Sequence, residues 1–258
     1  MERKNMLAYE RLGNQASDTT LVFLHGSTMT RGGMLPVAEQ FADYNCIVFD
    51  LTAHGESGEE EPEEAAVFAE DVEYSVQQLQ EKKEISGKLF VLGYSMGGAI
   101  TCELAIRNRL ALSGIVFLSS GADLKHYTPM VEQLKAMPVE EFRTKDILPA
   151  LFGSDIAKED ADRIMELFLT TKTEDATGYG DLMASNRYDA LARCAGITVP
   201  AMLVHGSEDK VVLPGAAVET WKAIPGSQLL MIPYRGHGAI YEDPALVRDK
   251  IMAFLKHN

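Results

Sequence analysis

Six short apolar runs, scarcely interrupted by polar residues, punctuate this chain: TLVFLH (20–25), CIVFDL (46–51), KLFVLGY (88–94), GIVFLS (114–119), VPAMLVH (199–205) and SQLLMIP (227–233). A run with no polar alternation reads as a strand covered on both faces, the condition of a parallel sheet. Residues 6–12 read as an additional N-terminal edge strand. Helical periodicity fills 64–83, 96–109, 215–224 and 244–256 between the runs. Parallel strands need long crossovers, so strand–helix alternation predicts a doubly wound, mostly parallel α/β sheet. Between 121 and 196 the rhythm stops. Helical patterns over 130–137, 139–151, 158–171 and 180–194, separated by Pro129, Pro138, Gly153 and Gly178, carry no strong strand signal. The expected division is a core of 1–121 and 196–258 with an all-helical cap, 122–195, inserted over the ligand-binding edge.

Length and charge narrow the partners. A chain of 258 residues, 46% hydrophobic, suits one sizeable domain. A formal net charge of −14 repels phosphate backbones and anionic headgroups, so neither nucleic-acid binding nor membrane-surface binding is expected. Cys46, Cys102 and Cys194 have neither metal-ligand nor disulfide-framework spacing and read as buried free thiols; no metal and no cofactor are expected. The first residues contain no apolar signal-peptide core, and no run reaches the roughly 18 apolar residues of a membrane span, which points to a cytoplasmic protein without membrane insertion. The acidic run EEEPEE (59–64) reads as an exposed loop leading into a helix.

Chemistry concentrates where strands end. Gly93-Tyr94-Ser95-Met96-Gly97 follows an apolar strand and opens a helix, the strand–turn–helix setting of a nucleophile elbow. Small residues are needed there because a strained turn must lift the Ser95 hydroxyl clear of the sheet. Leu24-His25-Gly26-Ser27 ends the first strong strand, and its loop would set the Ser27 N–H opposite that of Met96 as an oxyanion hole. A serine hydroxyl needs a base, and the base needs an orienting acid. Asp209 and His237 each follow a strand and complete the order Ser…Asp…His. His25 reads as a structural histidine holding its loop. His54 is a competing base, and Asp123 and Glu208 are competing acids.

The GYSMGG elbow, the LHG loop, DLTAHGES, HGSEDKVV and GHGAIYEDP together resemble landmarks of the α/β-hydrolase superfamily over nearly the whole chain outside the cap. That resemblance implies a cofactor-independent mechanism in which Ser95 forms an acyl-enzyme and His237 activates the water that cleaves it. Ala53 departs from the pattern, standing where such proteins often carry glycine. Epoxide and haloalkane hydrolases place aspartate at the elbow, which Ser95 argues against. The menaquinone-pathway synthase shares GYSMGG but usually continues with arginine, where this chain has Ala99.

Methionines and aromatics in the cap suit an adaptable apolar pocket. The substrate-binding candidates are Gly26, Tyr94, Met137, Phe152 and Met183. Lys125, Lys135, Arg143 and Arg163 do not cluster as a polyanion site would require. The expected activity is hydrolysis of a small-to-medium carboxylic ester with an apolar acyl or alkyl group. Thioesters, lactones, monoacylglycerols and carbon–carbon bonds are the alternatives for the same triad, and a ligand receptor on the same fold is the non-catalytic one. For an aminopeptidase, no acidic pair in the cap is clearly placed to hold a free amine. Oligomeric state is not written in the pattern.

Overall fold

The computed structural model describes residues 5–58, 60–129, 137–173 and 178–258. Its seven strands are β1 (Tyr9–Gly13), β2 (Thr19–Leu24), β3 (Asn45–Phe49), β4 (Lys88–Tyr94), β5 (Gly114–Leu118), β6 (Ala201–Gly206) and β7 (Gln228–Ile232), in the order β1-β3-β2-β4-β5-β6-β7. Only β1 runs antiparallel, against β3 at the edge. Every residue of β2, β3, β5 and β6 is buried, as their apolar sequences require. Alternation survives as a choice of layer. Val22, Leu24, Leu89 and Val91 enter one hydrophobic layer, while Leu21, Phe23, Phe90 and Leu92 enter the other.

Helices cover both faces. On one lie α2 (Ala65–Glu81), α3 (Met96–Arg107) and α8 (Gly215–Ala223); α2 offers Phe68, Val72, Val76 and Leu79 at helical spacing. The other face receives the short α1 (Leu35–Ala38) and α9 (Ala239–Glu242) and the long α10 (Pro244–His257), whose Val247, Ile251, Phe254 and Leu255 are buried. Among the described residues no helix is long and apolar enough to cross a membrane.

Between β5 and β6 the described elements are helical: α4 (Val139–Phe142), a π-turn (Arg143–Ile147), α5 (Leu148–Ala150), α6 (Lys158–Thr170), α7 (Tyr179–Arg187) and a 3₁₀ stretch (Leu191–Gly196). Pro149 has no N–H to give the carbonyl of residue 145, and the turn before it is wound wide. The pattern over 130–137, including Lys135, lies outside the described residues except for Met137. The single helix expected over 180–194 is broken. Tyr188 O accepts from the Leu124 and Lys125 N–H groups and Ala190 N–H donates to Ala122 O, so pairing with the loop after β5 replaces helical bonds. The acidic run is also more than a solvated loop. Glu61 accepts the Gly178 N–H, Glu63 pairs with Arg187, and a Cβ on Gly180 would lie 2.4 Å from Pro62 O.

Candidate active site

From β2 the chain first moves outward to β3, then crosses back to β4 on the other side of β2, making a topological switch point between β2 and β4. Ligands of open α/β sheets bind at the carboxyl ends of strands at such a point. Ser95 stands there, at the end of β4, with φ 52° and ψ −118°, a sparsely populated conformation. It is pinned from both sides: its N–H donates to Leu118 O at 2.9 Å, and its carbonyl accepts from Gly98 N–H at 2.8 Å and Ser120 Oγ at 2.6 Å. Only glycine fits the return of the elbow, since a Cβ on Gly97 would come within 2.5 Å of Leu24 O.

The other two side chains arrive from the ends of β6 and β7. His237 Nε2 lies 3.1 Å from Ser95 Oγ, and its Nδ1 lies 2.8 Å from Asp209 Oδ2. Asp209 is buried and heavily solvated by the protein itself. Oδ1 accepts the Val211 and Val212 N–H groups, each at 2.9 Å, and Oδ2 also faces His205 Nε2 at 3.1 Å. Burial pushes this carboxyl up, but the charge of His237 and the hydrogen bonds from His205 and His237 outweigh it and hold it down at about 2. An ionised Asp209 only accepts, so the His237 proton resides on Nδ1 and Nε2 is free to accept from Ser95. Tyr94 packs its ring 5.1 Å from the imidazole and donates to His237 O at 3.3 Å.

Of the competing residues, none reaches this relay. Asp123 accepts the N–H and ring Nδ1–H of His126, and Glu208 accepts from Ser154 N–H and Oγ. His25 lies buried between two loops, with Nδ1 at 2.8 Å from Gly26 O and Nε2 accepting the Leu51 N–H at 3.0 Å. Burial, reinforced by the charge of His54, lowers it to about 4, so it holds the loop as a neutral ring.

His54 takes part in a second histidine–aspartate pair that the sequence did not disclose. Its Nε2 is 2.8 Å from Asp181 Oδ2 and its Nδ1 is 2.7 Å from Thr52 O, both acceptors. Burial alone would lower this ring; the Asp181 charge and the hydrogen bonds overcome that and raise it to about 8. Asp181 Oδ2 also accepts the Thr28 N–H at 2.7 Å. The pair therefore braces the loop after β2, and Thr30 N–H to Thr171 O and Thr173 N–H to Thr28 O brace it further. In that loop Gly26 lies against Ser95, with room for no more than a strained Cβ, 3.0 Å from the Tyr94 ring and 3.1 Å from Ser95 Cβ. Among the described residues, the Ser27 and Met96 N–H groups donate to no protein acceptor.

A cavity opens over Ser95 and His237. Gly26 and Tyr94 line it, as the sequence suggested. Met137, Phe152 and Met183 do not. Phe152 lies beyond the end of α5 and packs against the core layer that contains Leu148 and Leu151; in α7, Leu182 and Ser185 face the cavity, which turns Met183 away. Met137 packs instead against Phe142 and Leu182. The remaining wall is mostly apolar, with Arg143 buried in it. Two groups among the described residues have their ligand atoms close enough to share an ion: His54, Glu61 and Asp181, and Asp123, His126 and Asp189. In each, the histidine already faces an aspartate of its own group as a hydrogen-bond partner.

Comparison with known proteins identifies the family and the fold. Residues 15–244 match the family model described as serine aminopeptidase, S33. The thermostable monoacylglycerol lipase of Bacillus sp. (strain H-257) is 26% identical over 243 residues, covering 92% of this chain and 90% of the lipase. A 108-residue stretch is 32% identical to the putative 2-succinyl-6-hydroxy-2,4-cyclohexadiene-1-carboxylate synthase of Haemophilus influenzae, covering 41% of this chain and 42% of that one. Among solved structures, a lipase-esterase related protein from Clostridium acetobutylicum superposes with a TM-score of 0.86 at 24% identity, covering 96% of this chain and 99% of the other.

Proposed function

This chain belongs to the serine aminopeptidase, S33, family of α/β-hydrolases, and from that premise we propose that it hydrolyses a small-to-medium carboxylic ester through Ser95, His237 and Asp209. The observation that carries the reading is the continuous hydrogen-bond chain from Ser95 Oγ through His237 to Asp209, with spacings of 3.1 and 2.8 Å, opening onto an apolar cavity. His237 Nε2 takes the hydroxyl proton as Ser95 Oγ attacks the ester carbonyl. The imidazolium that forms is stabilised by Asp209, which stays ionised. The Ser27 and Met96 N–H groups receive the developing oxyanion, the latter from the positive end of α3. His237 then protonates the departing alcohol, and the same residues run in reverse with water to release the acid. The segment 122–195 acts as a cap, closing the cavity from above.

An ester is favoured over a peptide with a free amine, despite the family's description. An aminopeptidase must hold an ammonium group, and no carboxylate lines the cavity among the described residues, whereas a guanidinium does. Purified protein should cleave short p-nitrophenyl esters, with turnover lost in Ser95→Ala. Folded protein that cleaves none of a series from acetate to octanoate would end this reading. Faster turnover of matched thioesters or lactones would move the bond but keep the residues.

A further inference from the structure

We propose that the cavity over Ser95 takes esters whose acyl part carries a carboxylate, and that Arg143 is the residue that reads it. The proposal rests on the ester-hydrolase reading above and names its substrate class.

Arg143 opens the π-turn and is 2% exposed, yet it lines the same cavity as Ser95 and His237. Of its two terminal nitrogens one is accounted for: Nη2 donates to Phe168 O in the last turn of α6, as an arginine capping a helix would. The other is not. Nη1 is buried and has no hydrogen-bond partner among the described residues. The nearest acid, Glu140, has Oε2 3.9 Å away, too far for a hydrogen bond, and its Oε1 is 3.0 Å from Lys172 Nζ on the partly exposed side. A cap that needed only to close α6 would have no reason to bury the rest of a guanidinium in a wall of Ile147, Leu148, Leu151, Phe168 and Leu182.

An unfilled, buried guanidinium donor is a recognition element in search of an acceptor. Arginine presents its donors as a planar fork that matches a carboxylate, and desolvation makes that match both stronger and more selective. Because Arg143 and Ser95 face one chamber, a ligand whose ester carbonyl sits at Ser95 can place a distal acid at Arg143, with its methylenes against the apolar side chains between them. The wall supplies no competing carboxylate among the described residues.

Monomethyl esters of the straight-chain diacids from succinate to suberate, each paired with its dimethyl ester, test this directly. Wild type should prefer the best half-ester over its neutral partner by about tenfold or more in kcat/KM, the scale of a charge-assisted hydrogen bond. Arg143→Gln should abolish that preference, lowering kcat/KM for the half-ester about tenfold more than for its neutral partner, and Arg143→Lys should retain part of it. Calorimetric binding of the half-ester to Ser95→Ala, with and without Arg143→Gln, reads the same contact without catalysis. If no ester is cleaved but this binding depends on Arg143, the hydrolase reading fails and the carboxylate site stands. If wild type does not discriminate, or Arg143→Gln lowers charged and neutral esters alike, the proposal is overturned. Should Arg143→Gln fail to fold, the wild-type preference and Arg143→Lys still decide it.

Discussion

Among the described residues, the buried pairs His237–Asp209 and His54–Asp181 differ in where the imidazole's second nitrogen points. In His237–Asp209 the far nitrogen meets a serine hydroxyl at the cavity floor. In His54–Asp181 it meets the carbonyl of Thr52, a group with no proton to give and no substrate beyond it. The first can act as a base because its outlet is a donor. The second is flanked by acceptors on both sides, which stabilise the protonated ring and raise it to about 8. On the proposed reading, the same two residue types serve a serine's proton transfer in one place and a charged brace in another, and the surrounding partners decide which.

Asparagine substitutions separate the two pairs most sharply. Asp209→Asn should lower kcat by about 10⁴-fold, because the amide favours the wrong imidazole tautomer while its oxygen can still accept the Val211 and Val212 N–H groups. Asp181→Asn should instead cost stability, about 3 kcal/mol or more by denaturant titration, since it leaves His54 without its counter-charge. Its effect on kcat in folded protein should stay within about tenfold, transmitted through Thr28 and the loop that carries Ser27. Equal losses of kcat in both variants would erase the distinction.

The second comparison is made with pH. The folded pKa of His54 is raised above its unfolded value, so its contribution is complete below about 6.5 and disappears as pH rises through about 8. That corresponds to about 2 kcal/mol of unfolding free energy lost between pH 6.5 and 9. His54→Gln should flatten this limb of the stability curve, and an unchanged slope would contradict a charged His54. Asp209 titrates in the opposite sense: its depressed pKa gives stability above about 4 that is lost as pH falls through about 2.

The smallest effect concerns the loop that carries His54. Ala53 has φ 68°, in the left-handed region, so the loop keeps a glycine-like turn with a residue that strains it. Ala53→Gly should stabilise the protein by about 1 kcal/mol in thermal or denaturant unfolding, with kcat unchanged. A loss of stability would mean that the methyl group contributes more by packing than it costs in strain.

The strands and the residues that meet as Ser95, His237 and Asp209 were legible in the sequence for a common reason. Fully buried parallel strands leave unbroken apolar runs, and the loops that follow them carry Ser95, Asp209 and His237 beside glycines and polar residues. What escaped depends on contacts between distant segments. Nothing local to His54 announces Asp181, 127 positions away. Apolar periodicity marks α7 but not which face meets the cavity, so it does not separate Met183 from Leu182, nor does an apolar pair beyond α5 reveal that Leu151 rather than Phe152 lines it. Arg143 was visible only as one scattered cation; its burial and its unfilled Nη1 come from packing against α6.

Reaction with a fluorophosphonate, mapped to a peptide and timed, tests the division of labour most directly, because the reagent needs an activated serine but no particular substrate. Wild type should be labelled at Ser95 alone, Asp181→Asn should still be labelled at that residue, and Asp209→Asn should react orders of magnitude more slowly. Folded wild-type protein that is not labelled, or is labelled at another serine, would contradict the account.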